Sequence, residues 1–347
     1  FGEDAVKASK ILDIVLTKRS NGAASEMELA GFPHHSLDTY LPKLVRAGHR
    51  VAICDQLEDP KAVKGIVKRG VTELVTPGLS FNDNVLDKST NNYLASVYLD
   101  KSSAGIAFLE LSTGEFMVTE GSFEYIAKLI QSFSPAEIIH VKHSSEAVAE
   151  LFGSSFSTYA LDDWVYGFDY GYEALTGHFN TNNLKGFGIE QLPLAIAAAG
   201  AVLHYLQETE HKEVAHIQTI ARIAEEQYVW LDKFTIRNLE LIYPQQESGI
   251  PLIQILDKTV TPMGARMMKK WVVLPLKDQA EIQQRLDSVE AFVTQPQWLK
   301  ELRALMAQVG DLERLIATFA GGRINPREML MLRKALEPIT PIKAVRW

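Results

Sequence analysis

The apolar positions fall into three regimes along the chain. In the first eighty residues they are short and varied. Ala5, Ala8, Ile11 and Leu12 space a helix over Asp4–Leu12, and DIVLT (Asp13 to Thr17) reads as a β-branched strand ending in the basic step Lys18-Arg19. A Gly/Asn/Ser-rich loop comes next. A second helix is expected from about Ser36 to Ala47, with Ser36 as N-cap, Gly48 as the C-terminal glycine and Pro42 kinking it or delaying its start. RVAICDQL (Arg50 to Leu57) has the look of a buried strand with Cys54 in its core. DPKAVKGIVKRG leads from it to the strand VTELV and the stop Thr76-Pro77-Gly78.

From about 85 to 215, strands lead. Tyr93–Leu99 and Gly105–Leu111 flank the turn Asp100-Lys101-Ser102-Ser103, and a third strand, Glu115–Thr119, comes after Ser112-Thr113-Gly114. Helix Phe123–Phe133, strand Glu137–Val141 and helix Ser145–Phe152 alternate after it, an α/β layer pattern. Pro193–Glu210 reads as a long helix whose alanine-rich centre suits close packing against a neighbour.

Beyond 215 strand signals thin out. After the core-like YVWLD (Tyr228 to Asp232), helices are expected at Thr235–Ile242, Pro262–Leu274, Gln279–Thr294, Gln297–Thr318 and Pro326–Leu336. In the second of these, Thr261 caps and Pro262 opens the helix. Met263, Met267, Trp271 and Leu274 form its apolar stripe, widened by Met268 and Val272, with Arg266, Lys269 and Lys270 on the other side. The fold class expected is α/β plus α, in three domains: 1–80, 81–214 and 215–347. The first is expected to be a separate globule rather than part of the sheet behind it.

Composition narrows the classes. A chain of 347 residues that is 46% hydrophobic can build sizeable cores, and no uninterrupted apolar stretch suggests a membrane span. One cysteine excludes an internal disulfide framework and fits a reducing compartment. The net charge of −8 argues against nucleic-acid binding over the whole surface. Residues 1–76 nonetheless carry +1, with 11 Lys+Arg against 10 Asp+Glu, which leaves −9 for the rest. The start at Phe1 and the stop at Trp347, directly after a helical run, read as cut ends of a longer protein.

LDKTVTPMGARMMKKWVVLPL (Leu256 to Leu276), preceded by TIRNLEL (Thr235 to Leu241), closely resembles the lever-domain signature of the MutS family of DNA mismatch-repair proteins. LTKRSNG (Leu16 to Gly22), AGFPHH (Ala30 to His35), VAICDQLEDP (Val51 to Pro60) and VTPG (Val75 to Gly78) look like the mismatch-binding domain of that family. FLELSTGEF (Phe108 to Phe116) looks like its connector. The resemblance thus spans the chain in order. It implies a small mixed α/β mismatch-binding domain, a ribonuclease-H-like α/β connector and part of a helical lever. It also implies a cytoplasmic, nucleoid-associated bacterial protein that binds duplex DNA with mispairs or small loops. A MutL-type partner would engage the connector, and the intact protein would be a homodimer and a DNA-dependent ATPase using ATP and Mg²⁺. No cofactor, metal, catalytic residue or membrane contact is expected in the present chain, which contains no G-x-x-x-x-G-K-[ST] motif.

The family reads mispairs with a Phe-x-Glu triplet, a wedge that deforms a weakly stacked step at low cost. Phe1-Gly2-Glu3 looks like that triplet, but the segment FGEDA matches the residues just downstream of it in the family. It is expected instead to open the first helix. DNA contact is expected at Lys18 and Arg19 and at Lys68 and Arg69, as charge-assisted bonds to phosphates. The resemblance favours Arg19 and Arg69, while Lys18 and Lys68 read equally well as solvated lysines. The family's connector shares a nuclease fold without its chemistry, so Glu110 reads as a structural remnant. A metal-dependent ribonuclease-H-like nuclease and a recombination-type MutS paralogue are the alternatives. Phe32-Pro33 reads as a core turn, His34 and His35 as surface or cap residues, and His140-x-x-His143 as no metal site.

Overall fold

The computed structural model describes residues 1–20, 26–59, 65–80, 85–211, 213–246 and 248–344. The loop expected at 20–25 and much of the segment before Lys68 lie outside them. The N-terminal part consists of α1 (Gly2–Leu12), β1 (Thr17–Ser20), β2 (Glu26–Leu29), α2 (Leu37–Arg46), β3 (Val51–Gln56) and β4 (Arg69–Val75). β1 pairs with β2 and β3 with β4, both antiparallel, and among the described residues none of the four joins the central sheet. Leu41, Val45, Val75 and Val85 form a small core of their own here.

Two sequence expectations need correction here. DIVLT is not a strand: Asp13 adopts a left-handed conformation (φ 53°) that closes α1, and the strand begins only at Thr17, where β2 supplies partners. Lys18 and Arg19 therefore lie within β1 rather than after a strand. β3 is not fully buried, and Cys54 is exposed rather than core. A two-stranded ribbon covers only one of its faces, so burial alternates along it. Phe1 and Gly2 do open the first helix, with Phe1 at the N-cap.

The central part contains β5 (Leu94–Leu99), β6 (Ser103–Glu110), β7 (Glu115–Ser122), α3 (Phe123–Phe133), β8 (Glu137–Val141), α4 (Ser145–Phe152), β9 (Ser157–Leu161), α5 (Phe168–His178), α6 (Pro193–Glu208) and β10 (Ala221–Arg222). The sheet order is β10-β7-β6-β5-β8-β9. β5, β6 and β7 run antiparallel to their neighbours among the three, while β8, β9 and β10 join by parallel pairing. Neighbouring residues face opposite cores. Ala107 and Leu109 point to the side carrying α5 and α6, Ile106 and Phe108 to the side carrying α3 and α4. The alanine-rich centre of α6 is buried as expected, and its crossing with α5 is very close: a Cβ on Gly200 would stand 2.3 Å from the Gly171 Cα. β9 and α5 have no clear sequence signal, because STYAL and FDYGYEALTGH carry polar residues inside short apolar runs.

The C-terminal part is helical: α7 (Lys233–Asn238), α8 (Leu252–Leu256), α9 (Pro262–Val273), α10 (Gln279–Thr294), α11 (Pro296–Met306), α12 (Leu312–Ala320), α13 (Pro326–Leu336) and α14 (Ile339–Ala344). Thr261 caps α9 by accepting from the Gly264 N–H. The single helix expected over 297–318 is two, because Gly310 turns left-handed (φ 67°) and Asp311 caps a new start. α7 stops short of Ile242, and Glu240 beyond it has a positive φ. The core expected at YVWLD is only partial, since Val229 is exposed and Tyr228 and Trp230 are half-buried.

α9 keeps only part of the faces assigned from its sequence: Leu274 of the apolar stripe is buried, but other positions depart from the assignment. Ala265, Arg266 and Val273 are buried, whereas Met267 and Trp271 are 54% and 43% exposed. Two of the three cations on the charged side can turn inward because each meets acceptors. Arg266 donates to Asp311, Glu313 and the Lys88 carbonyl, and Lys270 pairs with Glu115. Trp271 is left beneath the Arg285 guanidinium of α10, 3.6 Å from its ring centroid.

Candidate nucleic-acid interface

The four cations expected to meet DNA lie on the two ribbons, and all are exposed. Lys18 and Arg19 sit in β1 opposite Glu28 and Met27, and the Lys18 ammonium pairs with Glu26 at 3.0 Å. Arg69 opens β4 opposite Gln56, and Lys68 precedes it, its N–H donating to Glu58 Oε2. The structure thus places the two pairs on separate ribbons rather than in one sheet.

The β3–β4 ribbon has two unlike ends. At the Val51–Val75 end it is fastened to the central and C-terminal parts. The Leu74 N–H donates to the Thr209 carbonyl, and the Arg50 guanidinium lies 3.6 Å from the ring centroid of Tyr159. Thr76 Oγ1 and the Gly78 N–H both donate to Glu137, a buried carboxylate that also accepts from Tyr205. Glu73 receives Arg323 at 2.7 Å and stands 3.5 Å from His211. Burial pushes the Glu73 carboxyl up, but the His211 and Arg323 contacts outweigh it and hold the group below its ordinary value. Lys68 and Arg69 stand at the opposite end, which carries no such fastening among the described residues. Arg69 stands four residues along β4 from Glu73, the nearest tie, or roughly 13 Å.

A second set of polar contacts closes the seam between the central sheet and the C-terminal helices. Arg314 donates to Glu110, Ser112 and the carbonyls of Asp87 and Thr90, while Asn91 and Ser112 also donate to Glu110. Glu110 is wholly buried, and its oxygens are taken up by these donors. That is the environment of a structural carboxylate and not of a metal ligand. Burial tends to lower the Arg266 pKa, but Asp311 and Glu313 more than offset it, so its guanidinium is held firmly charged. Neither arginine's cross-seam contact has a sequence signal, because those partners lie 178 to 227 residues away. His140 is buried against the Val141 carbonyl while His143 faces Asp163 at the surface, so the two do not converge. Asp162 pairs with Lys142, Phe32 stacks half-buried on Tyr40, and His34 lies exposed 3.8 Å from Asp55. Among the described residues no helix is long and apolar enough to cross a membrane.

Models of known families match the chain in order: MutS domain I over residues 1–84, MutS domain II over 92–218 and MutS domain III over 234–346. The chain is 61% identical over 343 residues to the DNA mismatch repair protein MutS of Cytophaga hutchinsonii. It is 56% identical to that of Flavobacterium psychrophilum and 53% identical to that of Bacteroides fragilis. Each alignment takes in 99% of this chain and 40% of the relative, so the chain spans about two fifths of the length of the curated relatives it matches. Matched by three successive domain models and by relatives of this identity, the chain belongs to the MutS family.

Proposed function

We propose that this chain is the DNA-recognising portion of a mismatch-repair protein, divided into a mismatch-binding domain (1–80), a ribonuclease-H-like connector (81–214) and a partial helical lever (215–347). The observation that carries the reading is the β3–β4 ribbon, fastened at one end and bearing Lys68 and Arg69 free at the other. Exposed cations on strands at the tip of a small domain suit phosphate contact that positions a duplex without reading its sequence. The hairpin-led sheet supports the connector assignment, and the Arg266–Lys88 and Arg314–Glu110 contacts couple it to the lever.

In the intact protein, by this reading, the duplex carries a mispair or small loop, and the protein acts as a homodimer in the bacterial cytoplasm, at the nucleoid. ATP and Mg²⁺ belong to its ATPase, and a MutL-type partner docks on the connector. Anisotropy titrations of a labelled duplex across a salt series test the DNA reading. Binding should fall steeply with salt, and Arg19→Ala with Arg69→Ala should flatten the log–log slope by about 2. An unchanged affinity and slope in the double variant would remove these residues from the interface.

A further inference from the structure

A cavity of about 560 Å³ opens between the central sheet unit and the helices C-terminal to it. Phe133 at the end of α3 and Phe152 and Phe156 at and beyond the end of α4 line one side. Ile242, Val273 and Leu274 line the other. Three cations stand at its edge. Lys270 is neutralised by Glu115, but the side chains of Arg237 and Lys269 have no hydrogen-bond or ion-pair partner among the described residues. Asp87 and Asp257 act on Lys269 only at a distance, and burial holds its ammonium below the usual lysine value. The Ser132 hydroxyl in the same lining is closed to water and also lacks a partner.

We propose that this cavity binds a small aromatic acid. Its volume is that of a site for one drug-sized molecule. Three phenylalanine rings offer stacking and edge contacts to a flat apolar body. Lys269, half-buried beside an apolar wall with no carboxylate in hydrogen-bond reach, would gain from an acidic head group, and the exposed Arg237 at the same lining adds positive charge. A carboxylate, sulfonate or phosphate at Lys269, within reach of Arg237, satisfies that charge. Such a ligand would touch α3 and α4 on one side and α9 on the other, and so would hold the sheet unit against the helices. The site includes none of the four ribbon cations, so it stands independently of the DNA reading.

Calorimetric titration of the 347-residue chain with 2-naphthoate and with neutral 2-naphthalenemethanol tests the proposal. Naphthoate should bind about tenfold more tightly than the alcohol, the worth of one charge-assisted contact. Lys269→Gln with Arg237→Gln should bring the two to parity. Ser155→Trp, an exposed substitution at the mouth, should abolish both. Equal binding of acid and alcohol, a preference that survives the double substitution, indifference to Ser155→Trp, or no binding of naphthoate at millimolar concentration would each overturn the assignment.

Discussion

The Arg314 guanidinium, on the first turn of α12, meets Glu110 at the end of β6 at 3.3 Å, with 5% and 0% of the two side chains exposed. Removing one partner of a buried pair leaves the other charge stranded, at a cost of about 3–5 kcal/mol. Arg314→Met should therefore lower the unfolding free energy in urea by that amount, and adding Glu110→Gln should restore part of it. A loss under about 1 kcal/mol would show that the pair contributes little.

Glu73 gives the first unit a pH-dependent tie. Its carboxyl is held below the ordinary value of 4.5 by His211 and Arg323, against the opposing effect of burial. A depressed carboxylate contributes stability that is complete above the unfolded value and lost as pH falls through the folded one. Wild type should exceed Glu73→Gln by on the order of 1 kcal/mol at neutral pH, since the pair is partly exposed. Below about pH 4 the difference should shrink. Paired melts between pH 3 and 7 would show this, and a difference independent of pH would contradict it.

The Lys18–Glu26 pair competes with any phosphate for the lysine. If β1 contacts DNA, Glu26→Gln should tighten duplex binding by up to about fivefold, the worth of an exposed pair. Anisotropy at low salt measures it. Weakened binding would place Lys18 away from the backbone.

At the α5–α6 crossing, Gly200→Ala would drive a methyl group into the Gly171 backbone. No flexible side chain is there to give way, so the helices must separate, at about 1–3 kcal/mol. Thermal melts of the variant should show the loss. A neutral substitution would mean that the crossing is looser than described.

How much is legible in the sequence depends on whether the information is local. Phe123–Phe133, Glu137–Val141, Ser145–Phe152 and Gln279–Thr294 appear with the bounds expected from periodicity and caps, because Ser122 and Asp278 each cap their own helix. Cys54 is exposed against expectation because an apolar run cannot say how many strands will flank it. In α9, Arg266 is buried, and Met267 and Trp271 are exposed, for a related reason. Its stripe is real, but Asp311, Glu313 and Glu115, which draw Arg266 and Lys270 inward, come from far along the chain. The four ribbon cations are visible as residues, whereas the fastening of the β3–β4 ribbon at one end is not. Glu137, Tyr159, His211 and Arg323 meet it only through the tertiary fold.

Among the described residues the ties to the central and C-terminal parts sit at one end of the β3–β4 ribbon, as in a cantilever. With its root clamped from Glu73 onward and its charged tip roughly 13 Å out, a tilt of about 10° at the root sweeps Arg69 through about 2 Å. A sideways load on the tip would act on Glu73 and Glu137 as torque.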